Sequence, residues 1–175
     1  ILNKHPDVPD AVTGGQATIG LRSPDSPLTL ALLGAFGGGL AAPSANRFGR
    51  LSPTSAQHVR DEFGEQSPPV LDGGECDIGI ESTIVDLTNK PPRILREGSI
   101  RLAQLQAFLP DIQSGQGQAS PRVSGSLDAH YAPRTAMRRR TRAELATETV
   151  RGSVVLALKS LPEGSDGIAL PDSAD

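Results

Sequence analysis

The stretch Ala41-Ala42-Pro43-Ser44-Ala45-Asn46-Arg47-Phe48-Gly49-Arg50-Leu51-Ser52-Pro53-Thr54 constrains the fold more than any other part of the chain. Apolar residues run into it from Leu40. Pro43 holds the backbone extended, so Ser44 and Asn46, two positions apart, point the same way. Gly49 allows a bend. Ser52-Pro53 then reads as a helix start, with Ser52 as N-cap and Pro53 at the first helical position. Two small polar side chains, a turn and a helix N-terminus with open N–H groups can hold an anion, most often a phosphate. The same pattern also describes a strand, a loop and a helix cap with nothing bound.

Around this stretch the chain alternates strands and helices. Residues 4–15 read as a loop, Ala17–Leu21 as a strand ending at Arg22, and Ser26-Pro27 as the start of a helix carrying Leu28, Leu30, Leu32, Leu33 and Phe36. Gly37-Gly38-Gly39 closes that helix. The run lacks the Lys and Ser/Thr of a P-loop, so a C-cap and turn is the better reading. Leu40–Asn46 reads as a strand and loop, Pro53–Phe63 as a helix stopped by Gly64, and Pro69–Asp72, Thr83–Leu87 and Arg93–Arg96 as strands. Ser99 should cap a last helix, Ile100–Leu109. Such alternation implies an α/β layered domain, and its irregular spacing a mixed sheet.

Residues 113–133 are rich in Gly, Ser, Gln and Pro and read as a linker after a first domain over 1–112. Residues 134–175 open with Arg134, Arg138, Arg139, Arg140 and Arg142, a basic domain edge or an RNA contact, followed by a strand near Gly152–Leu158. They read as the start of a second α/β domain. Because the chain begins on Ile1 rather than Met, it is expected to be a fragment.

Composition narrows the functional classes. A net charge of −3 argues against a nucleic-acid footprint over the whole surface. A single cysteine, Cys76, excludes an intrachain disulfide, fits a reducing compartment and is expected to be a small buried or half-buried residue. The longest apolar run, 28–42, is interrupted by Thr29 and glycines and is too short for a membrane span. No basic start leads into an apolar signal core. The cytoplasm is the expected location, without membrane partners.

Neither a Gly-x-Ser-x-Gly nucleophile signature nor a His cluster nor an evident carboxylate pair is present. His58 could serve as a base or simply pack on its helix. Small hydroxyl residues, glycines and arginines at strand ends remain, a set suited to phosphoryl or nucleotidyl transfer by positioning and charge stabilisation. Ser82, entering a strand after a glycine-rich turn, would sit at the strand mouth where open α/β sheets bind ligands, or at an ordinary turn. Arg96 at the end of its strand could reach a phosphate or pair with Glu97 or Glu81, and Arg22 ends its strand in the same manner.

The 41–54 stretch resembles the signature of the Sua5/YciO/YrdC family, the threonylcarbamoyl-AMP synthases. Thr18-Ile19-Gly20-Leu21-Arg22, Gly73-Gly74, Gly79-Ile80-Glu81-Ser82-Thr83-Ile84-Val85-Asp86-Leu87 and Ile94-Leu95-Arg96-Glu97-Gly98 match in the right order over about the first hundred residues. His130-Tyr131-Ala132-Pro133 looks like the linker end of the long, two-domain form. The resemblance implies a three-layer domain around a twisted mixed sheet, followed by a Rossmann-like second domain.

In that family ATP, L-threonine and bicarbonate give threonylcarbamoyl-AMP and pyrophosphate, with Mg²⁺ assisting. The intermediate passes to a downstream transferase complex that makes N6-threonylcarbamoyladenosine in tRNA, so tRNA is met only indirectly. The resemblance assigns Thr18, Ser44, Asn46, Ser52, Arg96 and Tyr131 to ATP, and Arg22, the backbone at Ala42 and Ser82 to L-threonine. No covalent catalyst and no protein metal site are expected. The family's Lys-x-Arg motif is not among these residues, and the chain is therefore expected to bind ATP poorly. Two rivals stand beside this reading: a non-catalytic RNA-binding or ribosome-associated module of the same fold, and the carbamoyl-transfer domain of hydrogenase maturation, against which the His-Tyr-Ala-Pro linker tells.

Overall fold

A computed structural model describes residues 1–117, 120–123, 135–147 and 152–171. The chain divides into two compact units, Ile1–Ala132 and Pro133–Asp175. Strands and helices are interspersed along the chain, as in an α/β protein, without strict alternation.

In the first unit, β1 (Leu2–Asn3) pairs antiparallel with β2 (Thr18–Ile19), Leu2 opposite Ile19. Between them lies α1 (Asp10–Thr13), a single turn inside the stretch expected to be loop; Gly14, left-handed at φ 60°, ends it. The helix α2 (Pro27–Phe36) starts as its sequence demands. The Ser26 hydroxyl accepts from Thr29 N–H at 3.3 Å, Pro27 takes the first position and Gly37 closes the helix at φ 73°. Because α2 is apolar around its circumference, no single face is marked for burial, and none of its residues is buried.

Two expected strands are absent. Residues 40–46 and 69–72 are irregular. Pro43 and Pro69 each lack the N–H that a ladder needs, and Leu71 remains 63% exposed.

The expected helix Pro53–Phe63 is shorter. The helix α3 spans Ala56–Phe63, and its cap is Ser55, whose hydroxyl accepts from His58 N–H at 3.3 Å. Ser52 is no cap, because the helix begins only at Ala56, four residues beyond it. His58 takes part in this corner: Nδ1 lies 3.4 Å from Thr54 N and 3.2 Å from Thr54 Oγ1. Arg47 clamps the preceding loop to the far end of α3, with Nε donating to Glu62 O at 3.3 Å and its guanidinium 5.5 Å from the Phe63 ring centre.

The central sheet is mixed. The strand β3 (Ile84–Asp86) runs antiparallel to β4 (Arg93–Arg96), and β5 (Gln113–Ser114) lies parallel on the other side of β4. A polar pair at the start of the expected linker is thus a strand, because the open edge of β4 supplies backbone partners for it. The polar stretch beyond is fastened too: Gln16 and the Arg122 backbone exchange two hydrogen bonds, 2.9 Å and 3.4 Å. The last helix of this unit, α4 (Leu102–Gln106), starts two residues later than expected, after Arg101, whose N–H donates to Gln104 Oε1 at 2.8 Å.

Ile94 on β4 and Ile112, at 2% and 3% exposed, form the apolar centre of this sheet. Asp86 is fully buried beside them. Its carboxylate accepts from Thr88 N–H at 2.9 Å, Thr88 Oγ1 at 2.6 Å and Asn89 Nδ2 at 2.7 Å, which closes the β3–β4 connection. Burial pushes this carboxyl up, but the Thr88 and Asn89 hydrogen bonds and the Ile1 amine outweigh it and leave the pKa below its ordinary value.

A depressed folded pKa contributes stability above the unfolded carboxylate pKa, about 4, and that contribution is lost as pH falls through the folded value. Asp86→Asn should cost about 1–3 kcal/mol at neutral pH. In urea melts from pH 7 down to pH 3 the gap to wild type should narrow. A gap constant with pH would show that the Asp86 charge adds nothing.

In the second unit, α5 (Arg142–Thr147) precedes the parallel pair β6 (Val155–Leu158) and β7 (Gly167–Leu170). Thr141 and Glu144 cap α5 reciprocally: Thr141 N–H and Oγ1 donate to Glu144 Oε2 at 2.6 and 2.8 Å, and Glu144 N–H donates back to Thr141 Oγ1.

Candidate active site

The site is built on the end of β4. Gly98, two residues beyond Arg96, lies against the segment 81–83 so closely that a Cβ there would meet Glu81 O and Thr83 N at 2.5 Å. Gly98 N–H donates to Thr83 Oγ1 at 3.0 Å, and that hydroxyl donates to Ile100 O at 2.8 Å. The close approach sets the Ser82 carbonyl in front of Arg96, which donates to it twice, from Nε at 3.0 Å and from Nη2 at 2.9 Å.

Glu81 faces the same guanidinium, with Oε2 3.5 Å from Nη2, and the two side chains are only 14% (Arg96) and 23% (Glu81) exposed. Its other oxygen accepts from Ser52 Oγ at 2.6 Å. Asn46 Oδ1 lies 3.5 Å from the same hydroxyl. A hydroxyl has one hydrogen, and the shorter, charge-assisted bond to Glu81 takes it. Asn46 meanwhile donates Nδ2 to Arg47 O at 2.9 Å and Arg50 O at 3.1 Å, tying up the turn that Gly49 permits at φ 77°.

The structure therefore joins Asn46 and Ser52, from the 41–54 stretch, and Arg96, from the end of β4, with the backbone of Ser82. Ser82 enters through its carbonyl, and its side chain is exposed. The pairing of Arg96 with Glu81, one of the alternatives open in the sequence, is the observed one. Arg22, Ala42 and Ser44 are exposed, and Thr18 is half-buried on β2. Their side chains make no hydrogen bond to another described residue. Tyr131, with the rest of His130–Pro133, lies outside the described residues. The residue missing from the candidate set was Glu81. Its only signal was an acid directly before Ser82 in a glycine-flanked turn.

A cleft of about 190 Å³ opens beside the start of α3, lined by Thr54, Val59, Leu71, Gly73 and Cys76 among others. None of the expected site residues lines it. Cys76 is exposed rather than buried, because it lies on the irregular segment 70–80 and its N–H bonds Thr54 O at 2.9 Å. In the second unit Arg138 and Arg139 are exposed ahead of α5, and Arg142 donates to Ser160 Oγ at 3.2 Å. Among the described residues no group of three or more His, Cys, Asp or Glu could hold a metal ion, and no helix is long and apolar enough to cross a membrane.

The Arg96 guanidinium, aimed by a carbonyl and a carboxylate, offers N–H donors for a phosphate or carboxylate oxygen, and the Ser52 oxygen beside it can accept. The Sua5/YciO/YrdC family model, described as "Telomere recombination", matches residues 1–98, which include this whole network. The chain belongs to the Sua5/YciO/YrdC family.

Relatives in the family agree. A threonylcarbamoyl-AMP synthase of Pyrococcus abyssi is 38% identical over 138 residues, 76% of this chain and 41% of that protein. One of Bacillus subtilis is 39% identical over 136 residues, 73% and 39%. The crystal structure of Pyrococcus abyssi Sua5 complexed with L-threonine superposes with a TM-score of 0.63 at 35% identity, covering 90% of this chain and 43% of that one. The chain thus spans about two fifths of the length of these relatives.

Proposed function

We propose that the chain carries the nucleotide side of an L-threonylcarbamoyladenylate synthase, a nucleotidyltransferase that makes threonylcarbamoyl-AMP and pyrophosphate from ATP, L-threonine and bicarbonate. The observation that carries the reading is the meeting of Arg96, Ser52 and Asn46 across β4 and two loops. The names of the relatives and the threonine-bound neighbour support it. In the reaction the carboxylate of N-carboxy-threonine attacks the α-phosphorus of ATP, a P–O bond forms, and the bond to the departing pyrophosphate breaks. Arg96 is the residue placed to offset charge on the phosphates. Ser52, Asn46, Thr18 and Ser44 line the nucleotide, and the family resemblance adds Tyr131 to them. Arg22, the Ala42 backbone and Ser82 take L-threonine.

Mg²⁺ belongs with the ATP. It typically uses one or two carboxylates plus substrate phosphates rather than a protein cage. The product would pass to a cytoplasmic transferase that modifies tRNA. The first unit is read as a three-layer domain around a twisted sheet, and the second as the beginning of a Rossmann-like domain.

The test is calorimetry and pyrophosphate release with the purified chain. Threonine should bind more tightly in the presence of ATP, and release should need both threonine and bicarbonate. It should run well below the rate of the Pyrococcus abyssi relative, because Lys4, Lys90 and Lys159 fall in none of the motifs. A chain that binds neither ATP nor threonine, or releases pyrophosphate without threonine, overturns the proposal.

A further inference from the structure

We infer that Glu81 is a positioning residue for the nucleotide site: its carboxylate sets the Arg96 guanidinium and the Ser52 hydroxyl in one arrangement before ligand arrives. The inference rests on the reading of Arg96 as a phosphate contact and of Ser52 as a nucleotide contact. Its warrant is geometric. One carboxylate serves both groups, Oε1 to Ser52 Oγ at 2.6 Å and Oε2 to Arg96 Nη2 at 3.5 Å. The two come from different elements, Ser52 from the loop before α3 and Arg96 from the end of β4.

Among the described residues no strand pairing joins these elements at this point, so the side-chain bridge fixes their separation. The Ser82 carbonyl fixes a second edge of the guanidinium, with Nε and Nη2 at 3.0 and 2.9 Å. A guanidinium restrained on two sides keeps its plane, and a planar fork gives phosphate selectivity only when its plane is fixed. With Glu81 only 23% exposed, the bridge is shielded from the full screening of water. Glu81 needs no contact with the substrate to do this, and it is not a catalytic residue.

Three substitutions separate this role from general damage. Glu81→Gln keeps an oxygen for the Ser52 hydroxyl but loses the charge on Arg96, and should raise the Kd for ATP about three- to tenfold. Glu81→Ala loses both bonds and should raise it about ten- to a hundredfold. In an Arg96→Ala background, Glu81→Gln should change ATP binding less than about twofold, because the group it acts through is gone.

A second readout needs no ligand. The Arg96 Nε–H, bonded to Ser82 O, should exchange slowly with water in an NMR spectrum of the whole chain, and faster in Glu81→Gln. An ATP affinity equal to wild type in both Glu81 variants, or an equal loss with and without Arg96, overturns the role. If the wild-type chain binds no ATP, the proposed function fails. The exchange measurement then decides the positioning alone, and unchanged exchange in Glu81→Gln overturns it.

Discussion

Arg96→Ala should lower threonine-dependent pyrophosphate release about a hundred- to a thousandfold relative to the unsubstituted chain, the range seen when one aimed donor is removed from a charged transition state. The guanidinium is a cation placed by two hydrogen bonds to Ser82 O and a carboxylate at 3.5 Å. Truncation removes it and leaves Glu81, three-quarters shielded, bonded in this network to the Ser52 hydroxyl but without its cation. An unpaired, partly buried carboxylate adds a stability cost of about 1–3 kcal/mol, read as a lower urea midpoint. Arg96→Lys restores charge but not the planar fork, and should recover stability more than rate. Equal pyrophosphate release from Arg96→Ala and the parent chain, with folding intact, removes Arg96 from the reaction.

Gly98→Ala should be the most damaging small substitution in the first unit. An added Cβ would stand 2.5 Å from Glu81 O and from Thr83 N and 2.7 Å from Ser82 C, all backbone atoms that no rotamer change can clear. Either the end of β4 or the 81–83 segment must move, at a cost of about 1–3 kcal/mol or more. The displaced segment carries the Ser82 carbonyl and the Glu81 side chain, so the loss extends to the site. The expected result is a lower thermal midpoint together with fast exchange of the Arg96 Nε–H. A variant of unchanged stability and unchanged exchange would mean that this contact is looser than the structure has it.

Much of the fold was legible in local chemistry. Ser26-Pro27 and Gly37 bound α2 because a hydroxyl cap, a ring-fixed φ and a left-handed glycine act within one turn. Arg93–Arg96 is a strand with the expected bounds. The failures have physical causes of the same scale. Ser52-Pro53 carries the signature of a cap, yet the helix begins at Ala56 and Ser55 caps it, while Ser52 donates its hydroxyl hydrogen to a carboxylate 29 positions away. The strands expected over 40–46 and 69–72 are missing because the prolines remove ladder donors. Gln113–Ser114 is a strand although its residues are polar, since β4 had an edge to fill.

The order of the motifs carried the resemblance to the family, which the family model over residues 1–98 bears out, and that resemblance supplied the short list that contains Arg96, Ser52 and Asn46. Which of them meet was decided only in three dimensions. A hydrogen bond between Ser52 and Glu81 and an ion pair between Glu81 and Arg96 depend on how a loop, a turn and a strand end come together. The closeness that brings them together rests on Gly98, whose missing Cβ leaves the room they need.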